Sequence, residues 1–169
     1  EFTSEGYCLF LNAKNVTEKG FVFQDNMFID EERDKLLRKG KLKRGDIVLT
    51  TRGTIGNIAY YSDDIPYDNV RINSGMVIIR PDHSLIEDEF FIRQLRLLVD
   101  DIKRNIANGS AQPQLPIRVM NNINMIVPDI NDQDRYILFV RQLDKSKFEI
   151  KQAIESLNAT IRALVQRDN

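Results

Sequence analysis

The sequence is poor in the residues that carry most enzyme and metal chemistry. Of its 169 residues, one is histidine (His83) and one is cysteine (Cys8). A single cysteine excludes a disulfide within the chain and fits a reducing compartment. One histidine and one distant cysteine do not offer the several ligands at workable spacing that a metal site needs. A Ser-His-Asp arrangement would have to use His83, which sits in the turn Pro81-Asp82-His83-Ser84, and nothing near it resembles an exposed nucleophile turn. Gly53-Thr54-Ile55-Gly56 lacks the spacing and the Lys-Ser/Thr ending of a phosphate-cradling loop. The Asn/Asp-Pro-Pro-Tyr/Phe signature of amino-methyltransferases is also missing, and no carboxylates form a discernible pair. No apolar run approaches the roughly 18 residues of a membrane span, and no charged start followed by an apolar stretch and a cleavage site marks a signal peptide. These absences give the expectation of a cytoplasmic, non-catalytic chain with no metal, no cofactor and no membrane contact.

What is present is a 42% hydrophobic fraction, enough for a core, in a length that suits one domain plus an appendage. The net charge of −1 argues against indiscriminate nucleic-acid binding, but the charges are uneven. Arg33, Lys35, Arg38, Lys39, Lys41, Lys43, Arg44 and Arg52 share one segment with only Asp34 and Asp46. A local basic face on a near-neutral protein suits a partner that meets one side only. The plain alternative is a solvated helix-and-turn surface.

Hydrophobic periodicity and turn residues divide the chain. Short strands are expected at 7–11 and 21–23. A helix is expected over 30–39, capped by Asp30 and stopped by Gly40. The runs 47–51 and 55–61 read as a hairpin through Arg52-Gly53-Thr54, and 75–80 reads as a central strand buried on both faces. Ser84-Leu85-Ile86-Glu87 has the form of a capping box. The helix it opens carries Phe91, Leu95, Leu98 and Ile102 on one face and runs to about Asn105. A polar loop with Pro113 and Pro116 spans 107–116, and Pro128 closes the globular part.

Beyond Asn131, an expected cap, no Gly or Pro occurs. Val140, Leu143, Lys147, Ile150, Ile154, Leu157, Ile161 and Leu164 recur at alternating spacings of three and four, the repeat of a coiled-coil seam. A helix of about 35 residues reaches roughly 50 Å, too long to lie wholly on a domain of about 130 residues with a radius of gyration of roughly 14 Å. The stripe is therefore expected to pack against another helix, with the lone Lys147 helping to set register. The expected fold is α+β: a small mixed-sheet domain over 1–128, followed by a coiled-coil-type helix over 129–169.

The candidate DNA-contacting residues are Lys39, Lys41, Lys43, Arg44, Thr51, Arg52, Thr54, Asn57, Arg71, Asn73, Ser110, Gln112 and Gln114. Arg pairs bidentately with guanine, Asn and Gln with adenine, and Ser and Thr reach phosphates or bases. The same residue types are ordinary turn formers. Taken together with the basic segment, they make a groove-reading surface built from loops. The rival reading is a helical protein-interaction scaffold that reads no DNA.

Four stretches, in order, resemble one family. Leu42-Lys43-Arg44-Gly45-Asp46-Ile47-Val48-Leu49-Thr50 with Gly53-Thr54-Ile55-Gly56 is similar to its basic, Gly-Asp, strand, Gly-Thr-Ile-Gly segment. Arg71-Ile72-Asn73-Ser74-Gly75-Met76 resembles its Asn-X-Gly entry to a core strand. Gly109-Ser110-Ala111-Gln112 with Leu115 matches its Gly-Ser/Thr-X-Gln-X-X-Leu loop. Ile126-Val127-Pro128 with Gln133 and Ile137 resembles its passage into a long helix, with Val127 in place of a usual Pro and Asp132 in place of a usual Glu. The family is the DNA specificity subunit of type I restriction-modification systems. The resemblance implies that such a domain reads one half of a split double-stranded DNA target. It also implies that the helices pair antiparallel as a spacer and that methyltransferase subunits dock there, with a restriction or motor subunit joining through the complex. A complete subunit of that family has two recognition domains and two helical regions. This chain carries one of each, so it is expected to be a half-subunit or a piece of a longer polypeptide, its domain short at the N-terminus. As a half-subunit it would form a homodimer through the C-terminal helix.

Overall fold

The computed structural model describes residues 2–106 and 114–167. Within them the fold is α+β, and the chain divides into two compact units, Glu1–Val127 and Pro128–Asn169.

The first unit holds three small sheets. Strand β1 (Cys8–Phe10) lies between β4 (Phe28–Ile29), antiparallel, and β7 (Val70–Arg71), parallel. Strands β2 (Val16–Thr17) and β3 (Gly20–Phe21) form a two-stranded ribbon. The third sheet runs β6-β5-β8, all antiparallel, from β5 (Ile47–Thr50), β6 (Ile58–Tyr60) and β8 (Met76–Ile79). The expected hairpin between the 47–51 and 55–61 runs is present as β5 and β6, with Val48 opposite Ala59. Side chains alternate across a strand, and every residue of β5 is buried, so both of its faces are covered. The core gathers Leu9, Leu11, Val16, Leu42, Val48, Tyr61 and Val70.

Several sequence expectations change. The 75–80 run is an edge strand: β5 holds the central place, and β8 is only partly buried beyond Met76. Apolar content marks burial but does not say which strand has neighbours on both sides. Helix α1 (Glu31–Leu36) starts on Asp30, whose carboxylate accepts from Arg33 N at 2.7 Å, and ends at Leu37 in an extended conformation, before Gly40. Ser84 does not cap a helix: its N and Oγ donate to Asp82 in a turn, and α2 (Asp88–Ile106) begins four residues later. Helix α3 (Ile117–Met120) is a single turn.

The second unit is helix α4 (Ile130–Arg167), 38 residues and about 57 Å long at the α-helical rise. Asp129, rather than Asn131, caps it by accepting from Asn131 N at 3.0 Å. None of the described helices is long and apolar enough to cross a membrane.

Candidate nucleic-acid interface

Strand β5 has a closed end and an open end. At its start, Asp46 is 1% exposed and accepts from Lys43 N at 2.7 Å, which holds the turn. It also takes both Nε and Nη2 of Arg80 at 2.6 Å, tying that turn to the residue after β8. Arg44 stacks over Tyr61 at 4.3 Å. Its guanidinium donates to the carbonyls of Ser62, Ile65 and Tyr67 and to Asp68 at 2.7 Å.

A second network lies beneath the basic segment. Asp34, 4% exposed, binds Arg71 Nε at 2.5 Å and Lys41 Nζ at 2.6 Å. Arg71 also donates to the carbonyls of Asp34 and Lys39. Burial works to raise the Asp34 pKa, but the hydrogen bonds from Lys41, Arg71 and Cys8 outweigh it and bring it down to about 2. Burial and the facing Asp34 carboxylate push the Cys8 thiol up to about 12, so it is a neutral donor and no nucleophile.

These two networks sort the basic segment. Arg33 stacks on Phe2, Lys35 pairs with Glu31, Lys41 with Asp34 and Arg44 with Asp68. Arg38, Lys39, Lys43 and Arg52 are exposed, and their side chains have no partner among the described residues. Lys43 and Arg52 stand at opposite ends of β5, so the cations do not form one continuous face.

The open end of β5 is a set of interlocked turns. The Thr50 hydroxyl donates to Thr54 O and accepts from Asn57 N at 2.9 Å, which closes the hairpin loop. Gly53 (φ +73°) and Gly56 (φ +86°) take the left-handed backbone this loop requires. A Cβ on Gly56 would also strike Val99 and Lys103 of α2, at 2.8 Å and 2.6 Å. Gly75 O then accepts from Thr51 N, Thr51 Oγ1 and Arg52 N, which locks the hairpin to the turn before β8. Asn73 Oδ1 accepts from Gly75 N at 2.8 Å and shapes that second turn. Leu115 N donates to Thr51 O at 3.0 Å, which brings exposed Gln114 to the same end.

Arg52 and Asn73 flank one hollow of about 320 Å³, with Ala13, Thr50, Gly53, Ser74, Gly75 and Met76 around it. A Cβ on Gly75 would lie 3.2 Å from Asn73 Oδ1 and 3.7 Å from Arg52 Cβ, so the missing side chain keeps the space between them open. Thr54 is exposed on the neighbouring loop.

The structure therefore brings Arg52, Thr54, Asn73 and Gln114 to one end of the sheet. Lys39 approaches it along the pairing of Lys41 with Arg71 and of Ile72 N with Gly40 O. Thr51 and Asn57 are buried, and Asn57 Nδ2 donates to Val16 O at 2.8 Å. The donors of Arg44 and Arg71 are committed to partners within the protein, as is the ammonium of Lys41, so these three cations support the fold. Ser110 and Gln112 lie outside the described residues. Ala13 was not expected at the site: it reaches the hollow through the pairing of β1 with β7, which leaves no local mark in the sequence. Among the described residues no group of His, Cys, Asp and Glu is arranged to hold a metal ion. His83 pairs with Asp88 at 2.6 Å on the surface.

On α4, Leu143, Ile150, Ile154, Leu157, Ile161 and Leu164 are between 42% and 61% exposed, and Lys147 is exposed among them.

Comparison with known proteins gives one family and one fold. The type I restriction modification DNA specificity domain family matches residues 6–158. None of the curated proteins matches the chain at a significant level. Among solved structures, the chain is similar to the HsdS subunit from Thermoanaerobacter tengcongensis, with a TM-score of 0.63 and 17% identity. It is equally similar, with a TM-score of 0.63 and 18% identity, to a chain from a study of complex assembly and conformational transition of the type I R-M system. Each similarity covers 86% of this chain but only 37% of the other, so the chain spans little more than a third of the length of either.

Proposed function

The chain belongs to the type I restriction modification DNA specificity domain family, and on that basis we propose that it is a non-catalytic subunit, or half of one, that selects a split DNA target. The first unit reads one half-site with the open end of β5. Arg52, Asn73, Ser74, Thr54 and Gln114 face the bases, and Lys39 and Arg38 contact the phosphates. Ser110 and Gln112 join them from the polar loop. Phosphate contacts set register and base contacts set sequence, so the two groups make separable contributions.

Helix α4 supplies the spacer. Its exposed stripe pairs with a second such helix, either in another copy of this chain or in the other half of a longer one. In a parallel in-register pair, Lys147 would face its own copy across the seam, a like-charge contact. An antiparallel pair centred elsewhere on the stripe avoids that contact. The paired helices fix the distance between half-sites and offer a surface to methyltransferase subunits, through which a restriction subunit joins. No cofactor is needed for these roles.

The observation that carries this reading is the placing of Arg52, Asn73 and Ser74 around one hollow at the end of β5. Arg52→Ala and Gln112→Ala, each assembled with the methyltransferase subunits, are expected to change the target selected. An unchanged target in both would leave the chain as a helical scaffold without DNA readout.

A further inference from the structure

We propose that the free edge of β8 takes up one further strand, an extended and uncharged apolar segment supplied by a partner polypeptide.

Strand β8 has a neighbouring strand on one side only. Thr51 N bonds to Gly75 O, and the register continues with Leu49 opposite Val77 and Ile47 opposite Ile79. Backbone groups along an antiparallel pair alternate in direction. Gly75, Val77 and Ile79 therefore turn theirs to β5, and Ile78 turns its N–H and C=O outward. Among the described residues, none on that outer side bonds to them.

An apolar slot of about 550 Å³ runs along this edge. Side chains alternate across a strand, yet all of Met76 to Ile79 line the slot, so it wraps the edge instead of lying on one face. Ile72, which shares the core cluster with Met76 and Ile78, lines it too, as do Phe91 and Leu95 of α2 and Ile117 of α3. None of the described residues that line it is charged. Ile117, 63% exposed, stands at its mouth.

These features select the occupant. An open donor and acceptor on a strand edge are met by another extended backbone, as in strand addition. A helix has its own backbone bonds already made, so the α4 stripe of a second copy would leave Ile78 unpaired. A strand seated there sends alternate side chains to its two faces. Both rows then meet apolar walls, where an unpaired charge is costly to bury.

The test uses the full chain and a labelled valine- and alanine-rich peptide with a lysine at each end, read by fluorescence anisotropy and amide hydrogen exchange. The peptide is expected to bind, and exchange at Ile78 should slow by roughly tenfold or more. A peptide N-methylated at consecutive central residues loses donors on both edges and should not bind. Ile117→Asp places a charge at the mouth on an exposed residue, so the urea midpoint should hold while affinity falls by roughly tenfold or more. Strand addition is overturned if no binding is seen or if exchange at Ile78 is unchanged. It is also overturned if the N-methylated peptide binds as well as its parent, the result for a site that takes small apolar molecules. A dimer of the chain that the peptide dissociates in sedimentation would give the slot to a second copy, and would overturn it too.

Discussion

In Glu1–Val127 the aliphatic side chains of β1, β5 and β7 are buried, and the acids among them, Asp34 and Asp46, end on arginine or lysine. Along α4, Ile150, Ile154 and Leu157 stand more than half exposed. The first unit has an apolar core of its own. The helix carries an apolar stripe, and such a stripe is stabilised by a partner. The same contrast recurs within the first unit, where the start of β5 is closed by internal ion pairs and its end leaves Arg52 and Asn73 open. Surfaces with unmet bonding capacity are where partners fit.

The largest expected effect lies in the closed region. Arg71→Ala leaves Asp34 buried without its main ion partner and should cost about 3–5 kcal/mol, read as the urea midpoint of the first unit. If the loss is under 1 kcal/mol, the buried network is not what holds β7 to α1.

Next comes the helix. Ile154→Asp with Leu157→Asp should abolish self-association in sedimentation while leaving the urea midpoint of the first unit unchanged. A dimer that persists would place the interface elsewhere.

Acid titration separates the two regions again. The Asp34 carboxyl lies at about 2 in the folded chain against roughly 3.9 when unfolded. A depressed carboxylate contributes stability that is fully present above the unfolded value and is lost as pH falls through the folded one. About 2 kcal/mol should therefore disappear between roughly pH 4 and pH 2, measured by denaturation at each pH. Asp34→Asn should flatten that dependence.

The smallest effect on stability comes from the two ends of β5. Arg44→Ala removes four hydrogen bonds within the protein and should cost about 1–2 kcal/mol. Arg52→Ala should stay within about 0.5 kcal/mol of wild type, yet only Arg52→Ala should alter the DNA target. If both changes alter it equally, the distinction between closed and open ends is lost.

Much of this was legible in the sequence. The β5–β6 hairpin followed from two β-branched runs around Arg52-Gly53-Thr54, and α4 followed from the spacing of its stripe. The central strand was misplaced, because the apolar run Met76–Ile79 marks burial without revealing that β5 has neighbours on both sides and β8 on one. The site was legible by residue type only. A sequence does not distinguish Arg71, whose acid lies 37 residues away, or Arg44, whose acid lies 24 away, from the unpaired Arg52. Pairing is a property of tertiary structure, and it decides which cations are left available to a partner.

The most direct test is the target selected from a randomised duplex library by the chain assembled with its methyltransferase subunits. The expected result is two specified blocks separated by a gap of fixed length, with a position in one block that Arg52→Ala relaxes. Recovery of the same unselected pool with and without this chain would contradict a role in DNA specificity.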